Sequence, residues 1–139
     1  MFRFDLLNFD CQSSEGVGSL VIIEGRQLIP FEVKRVYFIV NTPFNTVRGR
    51  HAHKTLRQVI FCPSGSCDFT LDDGFNKTVI RLNDSSKGLY IKAGLWREFT
   101  NFSPDCVVMV LASAEYDEAE YIRDYDEFLR FIGLEGENG

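Results

Sequence analysis

The stretch VRGRHAHK, residues 47–54, contains both histidines of the chain, His51 and His53. Side chains at positions i and i+2 of a β-strand point to the same face, so this spacing predicts two imidazoles side by side. Gly49 falls on the same face, where the missing side chain leaves room for another group to approach. The three basic residues of the stretch stand out because the chain as a whole is acidic. This stretch is therefore the first candidate for a functional site.

Length and composition limit what the rest of the chain can be. The 139 residues suffice for one domain, residues 1–139, and 45% of them are hydrophobic, including 13 Phe. The formal net charge of −5 argues against binding to nucleic acid or to an anionic membrane. No segment approaches the roughly 20 apolar residues of a membrane-spanning helix, and the start lacks a signal-peptide pattern. We expect a cytoplasmic protein.

The four cysteines, Cys11, Cys62, Cys67 and Cys106, include no C-x-x-C pair. This usage is typical of reduced, mostly buried thiols in a reducing compartment. A zinc site is not expected, because paired ligands at metal-binding spacing are missing.

Short apolar or β-branched segments separated by turns predict β-strands along most of the chain. The predicted strands cover residues 2–9, 19–24, 33–40, 47–54, 57–62, 67–71, 77–82, 89–92 and 106–113. Residues 11–18 are expected to form turns, and Asp72-Asp73-Gly74 to form a tight hairpin turn. So many short strands at this spacing indicate an all-β sandwich or barrel, and a double-sheet jelly roll would enclose a cavity.

Near the end of the chain the pattern becomes helical. Asp124 is an N-cap candidate, Glu127 follows three residues later, and Gly133 stands at the far end, which predicts a short helix over residues 124–133. We expect this helix to pack onto the sheet through an apolar face formed by Phe128, Leu129 and Ile132.

Two segments resemble the motifs of the cupin jelly rolls. The first cupin motif reads G, five residues, H-x-H, three or four residues, E, six residues, G. Its later part is matched by the histidine pair, Gln58 and Gly65. The second motif, P-x-G-x-x-H-x-x-x-N, aligns with residues 92–101, where Gly94 and Asn101 agree. The resemblance covers roughly residues 35–113 and implies a cupin-type double-stranded β-helix, a jelly roll with a short C-terminal helix.

The departures from these motifs concern the metal ligands. Gln58 stands where metal-binding cupins have Glu, and Arg97 stands where they have a third His. A guanidinium stays protonated and cannot bind a cation, and an amide is a weak ligand for a transition metal. We expect no metal, which leaves the histidines available for acid–base chemistry near neutral pH.

A narrower resemblance covers nearly the whole chain. It is carried by Arg48-Gly49-x-His51-Ala52-His53-Lys54, Gln58, Gly65-x-Cys67, Leu71-Asp72-Asp73-Gly74 and Trp96-Arg97. These residues resemble those of the nucleotide-sugar 3,4-ketoisomerases, the small WxcM-like cupins. The resemblance implies conversion of dTDP-4-keto-6-deoxyglucose to a dTDP-3-keto-6-deoxyhexose, for deoxyamino sugars of polysaccharides or glycosylated products. It also implies that no metal or other cofactor is needed, and a homodimer that exchanges N-terminal strands, here residues 1–24.

Moving a ketone from C4 to C3 requires a base, an acid and a donor to the enediolate oxygen. The resemblance implies His51 as the base at C3, with His53 as its partner or as the proton donor to C4. Tyr37 is the candidate for moving a proton between the C3 and C4 oxygens, since a phenol both donates and accepts. Arg48 and Arg97 are candidates for stabilising the enediolate or holding the pyrophosphate.

Three further residues are predicted to contact the substrate: Gln58, Lys54 and Asn101. Structural alternatives remain open for several candidates. The two histidines could be a hydrogen-bonded pair, Tyr37 an ordinary buried phenol, and Arg97 an ion-pair partner of Glu98 or Asp105. Strict alternation points Lys54 away from the histidine face.

Two other functions are compatible with the same fold. One is a related sugar-nucleotide epimerase, although such enzymes have longer chains, and the other is a non-catalytic cupin that binds a sugar nucleotide. Within the ketoisomerase interpretation, the gluco configuration at C4 is favoured over galacto. The reason is that Arg97 is a poor acid at a position where a His could donate a proton. Val17, from a partner's exchanged strand, is expected to help shape the pocket.

Overall fold

The computed structural model describes residues 4–25 and 28–133 of the chain. Residues 1–3, 26, 27 and 134–139 of the predicted domain, including the start of its first predicted strand, lie outside the described residues. The described part forms antiparallel strands, a 3-10 helix over Glu118–Glu120 and one α-helix, α1, Tyr125–Phe131. The strands are β1 Phe4–Asn8, β2 Asp10–Ser14, β3 Gly18–Ile22, β4 Arg35–Ile39, β5 Arg48–His53, β6 Gln58–Ser64, β7 Cys67–Asp72, β8 Lys77–Leu82, β9 Lys87–Ile91, β10 Trp96–Thr100, β11 Val107–Ala112 and β12 Tyr121–Ile122.

Two five-stranded sheets and a two-stranded ribbon make up the described strands. The first sheet has the order β1-β9-β6-β11-β4, and the second has the order β12-β5-β10-β7-β8. Strands β2 and β3 pair only with each other among the described residues. Because neighbours in each sheet come from distant parts of the chain, the sheets wind around one another as in a jelly roll. The predicted all-β double-sheet architecture is confirmed.

The main core lies between the two sheets. Alternate residues of β6, β9 and β11 contribute to it from the first sheet, and those of β7 and β10 contribute from the second. Its most deeply buried members include Ile60, Phe69, Leu89, Ile91, Val108 and Val110. A second apolar cluster covers part of the outer face of the first sheet, where Phe9 packs edge-on against Phe61 at 5.1 Å between ring centroids.

The C-terminal helix forms as the capping pattern predicts. The side chain of Asp124 accepts a hydrogen bond from the amide of Asp126 at 3.0 Å, which satisfies one of the free donors of the first turn. Phe128 is fully buried against Ala52 and Trp96, on the outer face of the second sheet. The helix therefore packs on the face of β5 that is opposite to the two histidines. Within the described residues, no helix is long and apolar enough to cross a membrane.

Residues 11–18 differ from their prediction. They contain β2 and the start of β3, joined by a turn over residues 15–17, rather than turns throughout. The sequence of β2, DCQSS, shows no alternation because all five of its residues are exposed. It is a strand because it pairs with β3. Such pairing cannot be predicted from the hydrophobic pattern of β2 alone.

Strand β4 also has an unexpected face. Tyr37 and Ile39 pack against the main core. The other face of the strand presents apolar side chains to solvent, with Val36 at 54%, Phe38 at 60% and Val40, just after the strand, at 42% exposure. This face lies at the edge of the first sheet.

Candidate active site

Strand β5 places both imidazoles on its inner face, as the spacing predicts. The rings of His51 and His53 meet edge to face, with 4.8 Å between their centroids. Gly49 has a φ of +91°, and a Cβ built on it would lie 3.0 Å from the main-chain oxygen of Arg97. The space left by this glycine is therefore taken partly by the main chain of β10, whose Arg97 pairs with His51 across the ladder.

A cavity of about 480 Å³ opens beside His51. Its lining consists of Tyr37, Phe38, Ile39, Val40, Arg48, Gly49, His51, Phe99, Tyr121 and Arg123. Of the predicted site residues, the structure thus places His51, Tyr37 and Arg48 on the cavity wall. His53, Gln58 and Arg97 are buried next to these wall residues and do not line the cavity themselves.

The surroundings of His51 determine its tautomer. Its Nδ1 lies 3.0 Å from the main-chain oxygen of Gly49, which can only accept, so Nδ1 carries the proton and Nε2 has the free lone pair. Burial, and then the charge of Arg97, lower the pKa of His51 to about 4. At neutral pH the imidazole is therefore unprotonated at Nε2 and able to accept a proton.

His53 is wholly buried, and neither of its ring nitrogens has a hydrogen-bond partner among the described residues. Burial and the charge of Arg97 lower its pKa to about 2, so the ring is neutral. Tyr121 packs against it at 4.5 Å between ring centroids and against His51 at 4.9 Å. The two histidines are thus held by ring packing. The structure shows no hydrogen bond between them, which was the alternative considered from the sequence.

A hydrogen-bonded chain links three predicted residues behind the cavity. Arg97 donates from Nη1 to the amide oxygen of Gln58, and Gln58 donates from Nε2 to the Tyr37 oxygen at 3.1 Å. Burial raises the pKa of Tyr37, so the phenol keeps its proton at neutral pH. Tyr37 is therefore held with its hydroxyl in a network that leads to a buried cation, and is not an isolated core phenol.

Arg97 is 2% exposed, and its Nε and Nη2 have no partner among the described residues. Burial lowers its pKa to about 10, so it remains cationic at neutral pH. It forms no salt bridge with Glu98 or Asp105, the partners considered from the sequence. A buried cation with free donors is costly unless an anionic group approaches it, which makes Arg97 a candidate site for negative charge.

The same observation bears on the metal that many cupins bind. A cation next to His51 and His53 would face the guanidinium of Arg97, whose Nη1 donates to the oxygen that Gln58 would need for coordination. These donors do not fit a bound metal ion.

Two predicted substrate contacts are not placed at the cavity. Lys54 follows β5, is exposed, and donates its amide to the main-chain oxygen of Glu120 at 3.1 Å. Asn101 is also exposed, and its Nδ2 donates to Asp68 at 2.8 Å. Alternation turns Lys54 outward, and Asn101 lies beyond the end of β10, four residues from Arg97. The structure therefore does not bring these two residues to the histidines.

Sequence reasoning missed Tyr121 and Arg123. The main chain of Tyr121 pairs with His53 as part of β12, and Arg123 lies over the Tyr121 ring at 4.5 Å. Arg123 is held by Glu118, with 2.9 Å between its Nε and a carboxylate oxygen. A two-residue strand after a long loop has no periodicity to detect, and the only signal was an isolated Tyr-Ile pair among charged residues.

We predict that the buried histidines destabilise the fold in acid. Between about pH 6.5 and their lowered pKa values of about 4 and 2, the unfolded chain binds protons that the folded protein does not bind. Each histidine then lowers the free energy of unfolding by about 1.4 kcal/mol per pH unit as the pH falls. The variant His53→Gln should lose stability less steeply than wild type between about pH 6 and pH 4.5 in urea denaturation. Equal slopes would contradict a neutral, buried His53.

Comparison with known proteins identifies the family of the chain. The family model "FdtA: WxcM-like, C-terminal" matches residues 3–133. The TDP-4-oxo-6-deoxy-alpha-D-glucose-3,4-oxoisomerase of Aneurinibacillus thermoaerophilus is 51% identical over 115 residues, 83% of each chain.

Two solved structures extend the comparison. A mutant of the 3,4-ketoisomerase QdtA from Thermoanaerobacterium thermosaccharolyticum, in complex with TDP-4-keto-6-deoxyglucose, is 41% identical with a TM-score of 0.90, covering 94% of each chain. The WlaRB TDP-quinovose 3,4-ketoisomerase from Campylobacter jejuni is 48% identical with a TM-score of 0.87, covering 94% of this chain and 99% of the other. These matches confirm the cupin-type fold. The chain therefore belongs to the WxcM-like family of TDP-sugar 3,4-ketoisomerases and is an isomerase.

Proposed function

We propose that this enzyme converts TDP-4-keto-6-deoxyglucose to TDP-3-keto-6-deoxyglucose by proton transfers that use only its own side chains. The observation that carries the proposal is the pairing of a neutral His51 on the cavity wall with a buried, cationic Arg97 next to it. A base and a cation on neighbouring strands suit the removal of a proton next to a carbonyl, because negative charge develops on the oxygen. The relative from Aneurinibacillus is named for this 4-keto sugar nucleotide, and the structure of the relative from Thermoanaerobacterium is a complex with it.

The reaction balances without an added reactant. Nε2 of His51 removes the proton from C3, and the electron pair of the broken bond forms the C3–C4 double bond while the C4 oxygen becomes an enolate. The hydroxyl proton of C3 then moves to the C4 oxygen, and C4 accepts a proton from an acid. The product has the ketone at C3 and a hydroxyl at C4, and the proton count is unchanged.

Tyr37 is suited to the transfer between the two oxygens. Tyr37 lines the same cavity as His51, and its hydroxyl accepts a hydrogen bond from Gln58, so its own proton is free to be donated. Arg97 stabilises the enediolate, either by direct contact after a small shift of side chains or by its charge through the Gln58 network. Gln58 acts as a positioning residue, since it contacts both Tyr37 and Arg97.

The gluco configuration sets a condition on the acid at C4. In a 6-deoxyglucose ring the hydrogens at C3 and C4 lie on opposite faces, so the group that removes one proton cannot deliver the other from the same position. Arg97 remains cationic and is a poor acid. We infer that a water molecule on the opposite face of the sugar supplies the C4 proton, because His53 is neutral and does not line the cavity. The name of the Campylobacter relative, a quinovose enzyme, supports this stereochemistry, since quinovose is 6-deoxyglucose.

The nucleotide diphosphate requires cationic contacts at the cavity entrance. Arg48 and Arg123 both line the cavity and are exposed, whereas Arg97 is buried. A guanidinium binds phosphate oxygens through two parallel hydrogen bonds. We therefore propose that Arg48 and Arg123 bind the pyrophosphate. The reacting sugar would lie against His51 and Tyr37, on the side of the cavity nearest to Arg97. The product would feed deoxyamino-sugar biosynthesis.

Proton NMR with purified enzyme and TDP-4-keto-6-deoxyglucose tests this function. In D₂O, with EDTA present, the product should carry deuterium at C4. In H₂O, the coupling between H4 and H5 should be large for gluco and small for galacto. No reaction with EDTA, restored by added metal, would overturn the metal-free mechanism. Binding without any product would favour a non-catalytic sugar-nucleotide protein, and exchange at C3 or C5 with the ketone still at C4 would favour an epimerase.

We also propose a homodimer in which the β2–β3 ribbon contacts the second copy. The ribbon has exposed apolar side chains, with Val17 at 84% and Leu20 at 58% exposure. The outer face of β4, with Val36, Phe38 and Val40, is a second exposed apolar surface. Exposed apolar surface of this kind is typical of contacts between subunits. Exchange of the N-terminal strands, residues 1–24, would place Val17 of one copy near the cavity of the other.

The variant Phe38→Glu should therefore be monomeric where wild type is dimeric, because a carboxylate would be buried in the interface. Light scattering coupled to size-exclusion chromatography measures this directly. The control is Phe75→Glu, which adds the same charge at a phenyl group that is 76% exposed on the β7–β8 hairpin. A dimer in Phe38→Glu, or a monomer in wild type, would be incompatible with this interface.

A further inference from the structure

Three of the four cysteines meet inside the sandwich, at a place the isomerase chemistry does not use. Cys62 belongs to β6, Cys67 begins β7, and Cys106 directly precedes β11. The sulfur of Cys62 lies 3.8 Å from that of Cys67 and 3.9 Å from that of Cys106, and all three sulfurs lie within 4.8 Å of one another. None of these three cysteines is among the residues that line the cavity, so the cluster is separate from it.

The distances suit a shared ion. A thiolate binds zinc, and copper of similar size, at about 2.3 Å, and three sulfurs in a plane around such an ion are separated by about 4.0 Å. Two of the three sulfur separations, 3.8 and 3.9 Å, are already close to this value, and the third is no more than 4.8 Å. An S–S bond would instead require the sulfurs to approach to about 2.05 Å.

The residues around the three cysteine sulfurs indicate which kind of metal ion the cluster could bind. The three cysteines are 1%, 0% and 6% exposed and belong to the apolar core that also contains Phe69 and Phe102. Within the described part of the chain, no histidine, carboxylate or fourth cysteine joins the cluster. A structural zinc site needs four ligands, whereas soft thiolates select Cu(I).

We propose that Cys62, Cys67 and Cys106 form a closed three-sulfur site that binds one Cu(I) ion. Binding is a ligand exchange: copper enters and leaves as Cu(I), each sulfur that binds as a thiolate releases its proton to solvent, and no electron is transferred. The ion would join β6, β7 and the start of β11, strands from both sheets, and would add to the stability of the fold.

Two linked turns cover the site. Ser66 and Ser103 exchange hydrogen bonds at 2.8 and 2.9 Å, which joins the turn between β6 and β7 to the segment before β11. Gly65 has a φ of +68°, and a Cβ there would lie 2.7 Å from the Cα of Cys106, so the two segments are in close contact. A site closed in this way has no open position for a substrate, so the copper has a structural or storage role and takes no part in isomerisation.

Copper titration of the intact, reduced protein tests the site. Protein is incubated with Cu(I) under anaerobic conditions, both in the native state and during refolding from denaturant. Excess metal is then removed with a Cu(I) chelator, and copper per chain is measured together with the thermal midpoint. We expect one copper per chain after at least one of the two treatments and a raised midpoint, for wild type and equally for Cys11→Ala, which removes the exposed thiol.

The variants Cys62→Ala and Cys106→Ala should retain less than one tenth of this copper while remaining folded by circular dichroism. If one of them fails to fold, the other carries the comparison, since Cys106 is the more exposed of the two. Isomerase activity should be the same with and without copper. Retention of copper by both variants, its loss in Cys11→Ala, no copper in wild type after either treatment, or binding of Zn²⁺ in preference to Cu(I) would overturn the proposal.

Discussion

The variant His51→Asn should lose roughly 10²–10⁴-fold in kcat, the usual contribution of general-base catalysis, while still binding the sugar nucleotide. Asparagine has no lone pair of comparable basicity, so the C3 proton cannot be removed. Its amide can still donate to the Gly49 oxygen that now accepts from Nδ1 of His51, which preserves the local main-chain contact. Product formation by NMR or chromatography gives the rate, and calorimetric titration with TDP gives the affinity.

The matched control for this variant is His53→Asn, which alters the second ring of the pair. A smaller loss of kcat in His53→Asn would identify His51 as the base. If C4 protonation depends on His53, this variant should still exchange the C3 hydrogen with D₂O while forming little product. A fully active His51→Asn enzyme would show that another group removes the proton, and loss of TDP binding in it would indicate a positional role.

The second large effect is expected for Arg97→Met. Removing a charged group that stabilises an oxyanion costs about 2.7–4 kcal/mol of transition-state stabilisation, a fall in kcat of roughly 10²–10³. The same change should shift the acid limb of the kcat/KM profile upward from about pH 4, because burial and then Arg97 are the main causes of the lowered pKa of His51. A structural defect alone would lower the rate without moving this limb.

Arg50→Met provides the control for Arg97→Met. Arg50 lies in β5 next to His51, but its side chain is exposed and is not part of the cavity lining. We expect its kcat and pH profile to equal those of wild type. Arg97→Lys should retain part of the pH shift, since it keeps a charge, but should lose rate because a lysine lacks the planar fork of donors. An unchanged acid limb in Arg97→Met would contradict electrostatic coupling of Arg97 to His51.

Structural features that depend only on residues close together in the sequence were predicted from local sequence patterns. The H-x-H spacing placed both imidazoles on one face of β5, and the structure agrees, since alternation is a property of any extended strand. The helix at Asp124 was predicted from its cap, which acts within one turn. Strand β2 was missed because an exposed ribbon has no buried face to produce a hydrophobic pattern.

The predicted site residues also differ in where the structure places them. His51 and Tyr37 line the cavity as predicted, and the predicted Gln58 and Arg97 lie directly behind them. Lys54 was included because of its position in the sequence motif, and its outward direction follows from the same alternation that pairs the histidines.

Four features could be predicted from the amino-acid sequence: the all-β architecture, the histidine pair, the capped helix and the replacement of metal ligands by an amide and a guanidinium. Each of these depends on residue types at short spacing. The three-dimensional contacts were needed to show that Tyr121 packs on both histidines, that Arg97 is buried with free donors, and that three cysteines far apart in the sequence lie together. These contacts join residues from different strands, and the pairing and register of the sheets, which no local pattern encodes, bring them together.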